Sequence, residues 1–286
     1  MIPYAAKTHP GLKRGKNEDN YVAEPDMGLF VVADGVGGHT NGEVASDIAC
    51  KVIVDQVRSG ATLTDAISAA HSEVLAEIQA RDAESNMGTT VVALHMHGSS
   101  YDIAWVGDSR AYLFDGKLRQ LTKDHSAINE LLDRGVLTPD KIADHPQRHA
   151  LSRSLGVSDL NTSRASAISG SLRPGQQMLL CSDGLTDELS DGLIQRELKK
   201  NGDLDKQVDA LVSSALEHGG SDNLTVVLVG VPSGANVSTP SRANLETTQN
   251  LGEPAVHVRK RKSGFLRYLW IPLVALAVAA LTYFRP

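Results

Sequence analysis

Six short runs constrain this chain most: GLFVVAD (28–34), GTTVVALHM (88–96), YDIAWVGD (101–108), RAYLF (110–114), QQMLLCSD (176–183) and NLTVVLVGV (223–231). They are rich in β-branched and large apolar side chains and bounded by Gly, Asp or Asn, which marks strands and separates them from buried helix segments. Two longer stretches carry helical spacing instead. Residues 43–58 place Val44, Ala45, Ile48, Val52 and Val57 along one side, and residues 64–81 do so with Ala66, Ile67, Ala70, Val74, Leu75 and Ile78. A further helix is predicted over 206–218. Strands grouped around helix pairs, rather than alternating strictly with helices, predict an α+β protein with helices outside sheets.

Acidic residues recur where these runs end. Asp34 closes LFVVAD, Asp108 closes YDIAWVGD, Asp183 closes MLLCSD, and Asp222 immediately precedes NLTVVLV. A single Asp-Gly or Asp-Asn pair is a turn dipeptide, and Asp115-Gly116 and Asp191-Gly192 are read as turns only. Four aspartates at the ends of strands distant in sequence are different, because such ends can converge on one edge. Carboxylates gathered there repel unless a cation lies among them. All-oxygen ligation favours hard ions such as Mg²⁺ or Mn²⁺, and water held between two such ions loses a proton near neutral pH. The aspartates alone therefore point to metal-assisted hydrolysis.

The glycine-rich stretch VVADGVGGHTNGEVAS (31–46) fits no nucleotide loop. Gly37 and Gly42 match the glycines of a Walker loop, but Glu43 stands where the lysine is needed. Gly35 and Gly37 begin a dinucleotide fingerprint, but Thr40 occupies the third glycine's place. What remains is a loop whose backbone passes close to a metal or a sheet.

The 286 residues are 41% apolar and 22% charged, enough for a sizeable core. Net charge is −6, yet the stretch from Arg259 onward holds six basic and no acidic side chains, leaving −12 on residues 1–258. An acidic body argues against nucleic acid as a partner. Cys50 and Cys181 lie far apart without metal-type spacing, so both are expected as buried core residues in a reducing compartment. No secretory pattern opens the chain, so the body is expected to stay in the cytosol. Residues 232–255, rich in Ser, Thr, Asn, Gly and Pro, read as a flexible tether. Tyr268 to Phe284 then runs 17 residues without a charge, follows RKRK at 259–262 and carries aromatics at both ends. That pattern predicts a single membrane-spanning helix with its basic side cytosolic. The expected layout is a catalytic domain over 1–231, a linker with a basic cluster over 232–264 and a transmembrane helix over 265–284. The chain is then a single-pass protein of the cell (inner) membrane with its catalytic domain cytoplasmic.

Taken in order, RGKNED (14–19), VVADGVGGHTNGEVAS (31–46), GTT (88–90), VGDSRAYL (106–113), LTKDHS (121–126), LSRSLG (151–156), LLCSDGLTD (179–187) and GGSDNLTVVLV (219–229) carry a family resemblance. Across residues 1–231 the chain resembles the bacterial branch of the metal-dependent protein phosphatases, the type 2C serine/threonine phosphatases. The resemblance implies a four-layer α-β-β-α sandwich, two antiparallel sheets flanked by helices, with two Mn²⁺ or Mg²⁺ ions at one edge between the sheets. It implies that Asp34 bridges the metals and that Gly35 lends one of them its carbonyl. Asp183 and Asp222 complete one shell, Glu18 and Asp19 hold the other metal and its waters, and Asp108 helps bind a weaker third ion. Arg14 clamps the substrate phosphate. The implied reaction is hydrolysis of phosphoserine or phosphothreonine in proteins by in-line attack of a metal-bridging hydroxide, without a phospho-enzyme, with Arg14, Asp19 and Asp34 as catalytic residues. The implied partners are phosphorylated proteins, among them a Ser/Thr kinase and its substrates.

Many eukaryotic relatives place histidine directly after the Asp-Gly pair, where this chain has Val36. His39 is then either the leaving-group acid or a loop residue. His125 and His149 fall near the segment matching the mobile flap of bacterial relatives, about 124–160, as structural or substrate-facing groups. His95 and His97 share one strand face and receive no chemistry. Cys181, in acidic surroundings, need not be a nucleophile. Two other readings stand beside the leading one. A pseudophosphatase requires a missing ligand, and every ligand position is filled. Another two-metal phosphohydrolase, such as a nuclease or nucleotidase, lacks the expected aromatic and basic groove.

Overall fold

The seven residues Leu224–Gly230 are all buried, which a strand achieves only when both of its faces are covered. Even and odd positions along it enter different layers: Val226 and Leu228 face one hydrophobic cluster, Val227 and Val229 another. The same division holds at Leu29–Ala33, where Leu29, Val31 and Ala33 point one way and Phe30 and Val32 the other. Because two apolar faces are needed, these strands read as continuous apolar runs rather than as alternation.

The computed structural model describes residues 1–36, 41–81, 87–138, 141–142, 145–147, 150–156, 164–200 and 202–231. In chain order the elements are β1 (Tyr4–His9), β2 (Asn20–Glu24), β3 (Leu29–Ala33), β4 (Gly35–Val36), α1 (Gly42–Arg58), α2 (Leu63–Arg81), β5 (Gly88–Thr89), β6 (Val91–His97), β7 (Ser100–Val106), β8 (Arg110–Phe114), β9 (Leu118–Gln120), α3 (Ala127–Asp133), β10 (Ser166–Ser171), β11 (Gln177–Cys181), α4 (Asp183–Thr186), α5 (Asp191–Lys200), α6 (Leu204–His218) and β12 (Leu224–Gly230). The chain divides into one compact unit, Met1–Ser238, and a second, Thr239–Pro286. The described residues belong to the first. The expected linker over 232–264 and apolar helix over 265–284 lie outside them; among the described residues no helix is long and apolar enough to cross a membrane.

Two five-stranded sheets, ordered β1-β12-β11-β8-β9 and β10-β7-β6-β3-β2, form the centre, with a small β4-β5 pair beside them. Neighbouring strands in both are antiparallel. Phe30, Val92, Leu94, Met178, Leu180 and Val227 fill the layer between the sheets. Helices α1 and α2 cover one outer face through Ala49, Ile53, Ala66 and Ala70. The other face is covered by α5 and α6 through Ile194, Leu198, Leu211 and Ala215. The four-layer α-β-β-α arrangement expected from the resemblance is therefore present.

Several local expectations need correction. In α1 the fully buried stripe is Ala45, Ala49 and Ile53, while Val44, Ile48 and Val52 are only partly buried. Asp191-Gly192 is no turn: Asp191 opens α5, where its carboxylate favours the helix N-terminus and accepts a hydrogen bond from Tyr112 Oη at 3.1 Å. Asp183 does not end a strand but begins α4, two residues after β11 closes at Cys181. Asp115-Gly116 is a turn, with Asp115 Oδ1 accepting from the Lys117 amide and Gly116 at φ +89°.

Leu180 is fully buried between the sheets. Leu180→Ala should lower unfolding stability by about 2–5 kcal/mol through lost transfer energy and the cavity left behind, read as a fall in the urea midpoint without a change in slope.

Candidate metal centre

Asp34 follows β3 directly, and its backbone is held from several sides. Its carbonyl accepts from Thr89 Oγ1 at 2.9 Å and from the Thr90 amide at 2.8 Å, while its own amide donates to Thr90 Oγ1 at 3.3 Å. Thr90 Oγ1 is in turn 2.7 Å from Ser109 Oγ, which ties this strand end to the loop bearing Asp108. These bonds give the GTT motif its physical role.

Glycine is needed at positions 35 and 42 for close approach. A Cβ on Gly35 would lie 2.3 Å from the Gly42 carbonyl oxygen and 2.6 Å from that of Glu18, and a Cβ on Gly42 would meet the Gly35 backbone at 2.8 Å. The start of α1, the end of β3 and the Glu18 segment thus meet backbone to backbone. The Glu18 carbonyl accepts from the Gly35 amide at 3.2 Å and from Ser46 Oγ of α1 at 2.7 Å.

The loop bearing Arg14 and Glu18 is tied down by a side chain that motif spacing did not single out. Asn223 Nδ2 donates to the carbonyls of Pro10 (2.9 Å) and Lys16 (2.8 Å), and its Oδ1 accepts from the Glu18 amide at 2.8 Å. The only sequence signal for this role was its position directly after Asp222. Ser182 and Thr225 were likewise passed over.

Together these elements place Arg14, Glu18, Asp34, Gly35, Asp108, Asp183, Asp222 and Asn223 around one cavity of about 200 Å³. The four aspartates singled out at the ends of the apolar runs do converge. Asp19 is not among the residues lining this cavity. It is buried behind, its Oδ2 accepting from Ser182 Oγ and Thr225 Oγ1, each at 2.7 Å, while its Oδ1 has no hydrogen-bond partner. Arg14, about half exposed, pairs with Asp222 at 2.6 Å. His39 and His149 lie outside the described residues. His125 is structural: its Nδ1 accepts from the Gly107 amide at 3.1 Å, its ring stacks on Trp105, and its Nε2 is 2.9 Å from Ser166 Oγ. Burial lowers its pKa to about 4. Cys50 and Cys181 are buried as expected, and burial raises both thiols to about 12, which removes Cys181 as a nucleophile.

The electrostatics fit a cation. Burial first, then the charges of Asp19, Asp183 and Asp108, raise Asp34 well above the usual carboxylate range. Burial and Asp183 raise Asp108 to about 8. Burial raises Asp19 to about 7 against the opposing hydroxyls of Ser182 and Thr225. Crowded, partly buried carboxylates and the orphaned Asp19 oxygen have the all-oxygen chemistry that hard divalent ions take. Among the described residues no three acidic, histidine or cysteine side chains are placed, as they stand, to hold a metal ion; Asp222 is turned to Arg14 and Asp19 to its two hydroxyls.

A stability consequence follows from the raised pKa values. Between the ordinary value of 3.8 and the folded values of about 7 and about 8, the folded state holds more protons than the unfolded chain. Stability of the metal-free protein should therefore fall as pH rises through that window, and Mn²⁺ should restore it. Urea midpoints in chelator and in Mn²⁺, at the two ends of the window, check this.

The family model for protein phosphatase 2C matches residues 13–228. The serine/threonine protein phosphatase PstP of Mycobacterium tuberculosis is 37% identical over 238 residues, 81% of this chain; this chain spans only 45% of that relative's length. The serine/threonine phosphatase stp of Listeria monocytogenes is 34% identical over 237 residues, covering 78% of this chain and 93% of its own. Among solved structures, the catalytic domain of PstP in complex with two manganese ions superposes with a TM-score of 0.70 at 33% identity, covering 80% of this chain and 97% of that one. On fold, motif order and similarity together, the chain belongs to the protein phosphatase 2C family.

Proposed function

We propose that this chain is a Mn²⁺- or Mg²⁺-dependent protein serine/threonine phosphatase. The observation that carries the reading is the convergence of Glu18, Asp34, Asp108, Asp183 and Asp222, with Arg14, on one cavity of a phosphatase 2C fold. Glu18, Asp34, Asp183, Asp222, the Gly35 carbonyl and the buried Asp19 form the environment for two ions, with Asp108 toward a third. When bound, such ions supply positive charge for the phosphate and acidify the attacking water. Arg14 would offer a planar fork of donors to the phosphate oxygens, giving up its pairing with Asp222 to do so. Asn223 and Thr89 hold the backbones that carry these groups. The candidate substrates are phosphoserine and phosphothreonine in proteins, in opposition to a Ser/Thr kinase. The filled ligand positions weigh against a pseudophosphatase, and the acidic body against a nuclease.

The full chain with Mn²⁺ should hydrolyse a phosphothreonine peptide. Asp34→Asn and Asp183→Asn should each cost at least about a hundredfold in turnover, and Arg14→Ala about 10²–10³-fold in kcat/KM, the scale of a lost transition-state donor. A metal-loaded but inactive wild type would favour the pseudophosphatase reading, and release of phosphate from nucleotides alone would favour the nucleotidase.

The C-terminal segment adds a location to this reading. Its uncharged stretch from Tyr268 to Phe284, preceded by RKRK, supports a single-pass anchor in the cell membrane with the catalytic domain cytoplasmic. Such a tether raises the local concentration of phosphatase around membrane-bound phosphoproteins. The chain should stay with membranes through carbonate washing, and truncation after residue 264 should release it; a full chain that washes off would end the anchor.

A further inference from the structure

Between Gly11 and Asn17 the chain reads Leu-Lys-Arg-Gly-Lys, and every residue from Leu12 to Lys16 is exposed. Lys13, Arg14 and Lys16 put three cations within four positions, although residues 1–258 carry a net charge of −12. Arg14 lines the carboxylate cavity. Its two basic neighbours have no part in the reading above.

The backbone of this loop is fastened to the segment that carries Asp222. Asn223 Nδ2 grips it at both ends, through the carbonyls of Pro10 (2.9 Å) and Lys16 (2.8 Å), and the Leu12 amide donates to the Gly220 carbonyl at 2.7 Å. Gly11, at φ +80°, passes so close that a Cβ there would lie 2.2 Å from the Asp222 carbonyl oxygen. A loop held by its main chain while its side chains face solvent is pre-organised, so less ordering is left to be done when a ligand arrives.

The nearest carboxylates have other partners. Asp222 Oδ2 pairs with Arg14 at 2.6 Å, and Glu188 Oε1 accepts from the Ser221 amide at 2.7 Å and from Ser221 Oγ at 2.5 Å. Those Ser221 bonds, with smaller help from the charges of Lys13 and His218, hold the Glu188 carboxyl below its usual range. Among the described residues neither Lys13 nor Lys16 stands in an ion pair.

We propose that Lys13 and Lys16 are specificity-determining residues that favour phosphorylated segments with aspartate or glutamate within two or three positions of the phosphoresidue. This rests on the phosphatase reading above and names its substrate class. Lys13 adjoins Arg14 and Lys16 stands two residues on, at most about 7 Å along the chain, a distance that an extended peptide covers in about two residues. With Arg14 on the phosphate, the two ammonium groups, compact charges on flexible stems, meet flanking carboxylates on the same peptide. The acidic body repels such a peptide elsewhere, so complementarity directs it to this loop. These contacts lie away from the reacting phosphorus and are made in the bound state and the transition state alike, so they act on KM more than on kcat.

The test compares two phosphothreonine peptides on the full chain with Mn²⁺, identical except that one carries glutamate and the other glutamine at the positions beside the phosphoresidue. The wild type should use the glutamate peptide about three- to tenfold better in kcat/KM, mostly through KM, the scale of two exposed charge contacts, and about 1 M salt should shrink the preference. Lys13→Ala/Lys16→Ala should bring the ratio near one, Lys13→Arg/Lys16→Arg should keep it, and Lys16→Glu should lower it further than Lys16→Ala. Because each ratio compares two peptides on one enzyme, a disturbed centre or a partly folded variant cancels. Equal use of both peptides by the wild type, or a preference that survives Lys13→Ala/Lys16→Ala, would overturn the proposal and leave the phosphatase reading standing. If the wild type hydrolyses neither peptide, that reading fails and the proposal falls with it.

Discussion

Mutual repulsion among crowded, partly buried carboxylates is the constraint around which the domain is organised. Glu18, Asp34, Asp108, Asp183 and Asp222 come from segments far apart in the chain and meet at one cavity. Crowding and burial disfavour the charged forms, and the pKa values of Asp34 and Asp108 are raised accordingly. Three apolar layers, one between the sheets and one under each pair of helices, hold them in place. Burial of that much hydrocarbon sustains a local arrangement that is unfavourable without cations.

The finer positioning comes from backbone, not from the carboxylates. Gly35 and Gly42 let three segments touch, Thr89 and Thr90 grip the main chain of Asp34, and Asn223 holds the loop that carries Arg14 and Glu18. Catalysis of phosphoryl transfer depends on positioning and charge more than on covalent chemistry, so for the proposed activity the main chain around these carboxylates matters as much as the carboxylates. Asp19 shows the same logic one layer back: two hydroxyls fix one carboxylate oxygen and leave the other unpartnered.

How legible each strand was in the sequence depended on its place in the sheet. The six runs that stood out became β3, β6, β7, β8, β11 and β12, all central in their sheets and mostly buried. Within the two five-stranded sheets, the four strands that no pattern announced, β1, β2, β9 and β10, are the edges. Edge strands are half exposed and carry polar residues, as KTH and SAISGS do, so their apolar signal is diluted. Helix α5 was hidden for a related reason: it is short and mostly polar, and its Asp-Gly start imitates a turn.

The sequence by itself determined the chemistry: acids at the ends of apolar runs, glycine where backbones must touch, and an arginine four residues before a glutamate, in an order that specifies a family. Those are local properties, written in residue type and spacing. Only the tertiary structure decided which side chains share a space. It set Asp19 behind the cavity rather than on its wall, turned Arg14 onto Asp222, made His125 a strut, and brought Asp102 beside two histidines to which no chemistry had been assigned. Contacts between residues more than two hundred positions apart depend on strand register and layer packing, which no window of sequence contains.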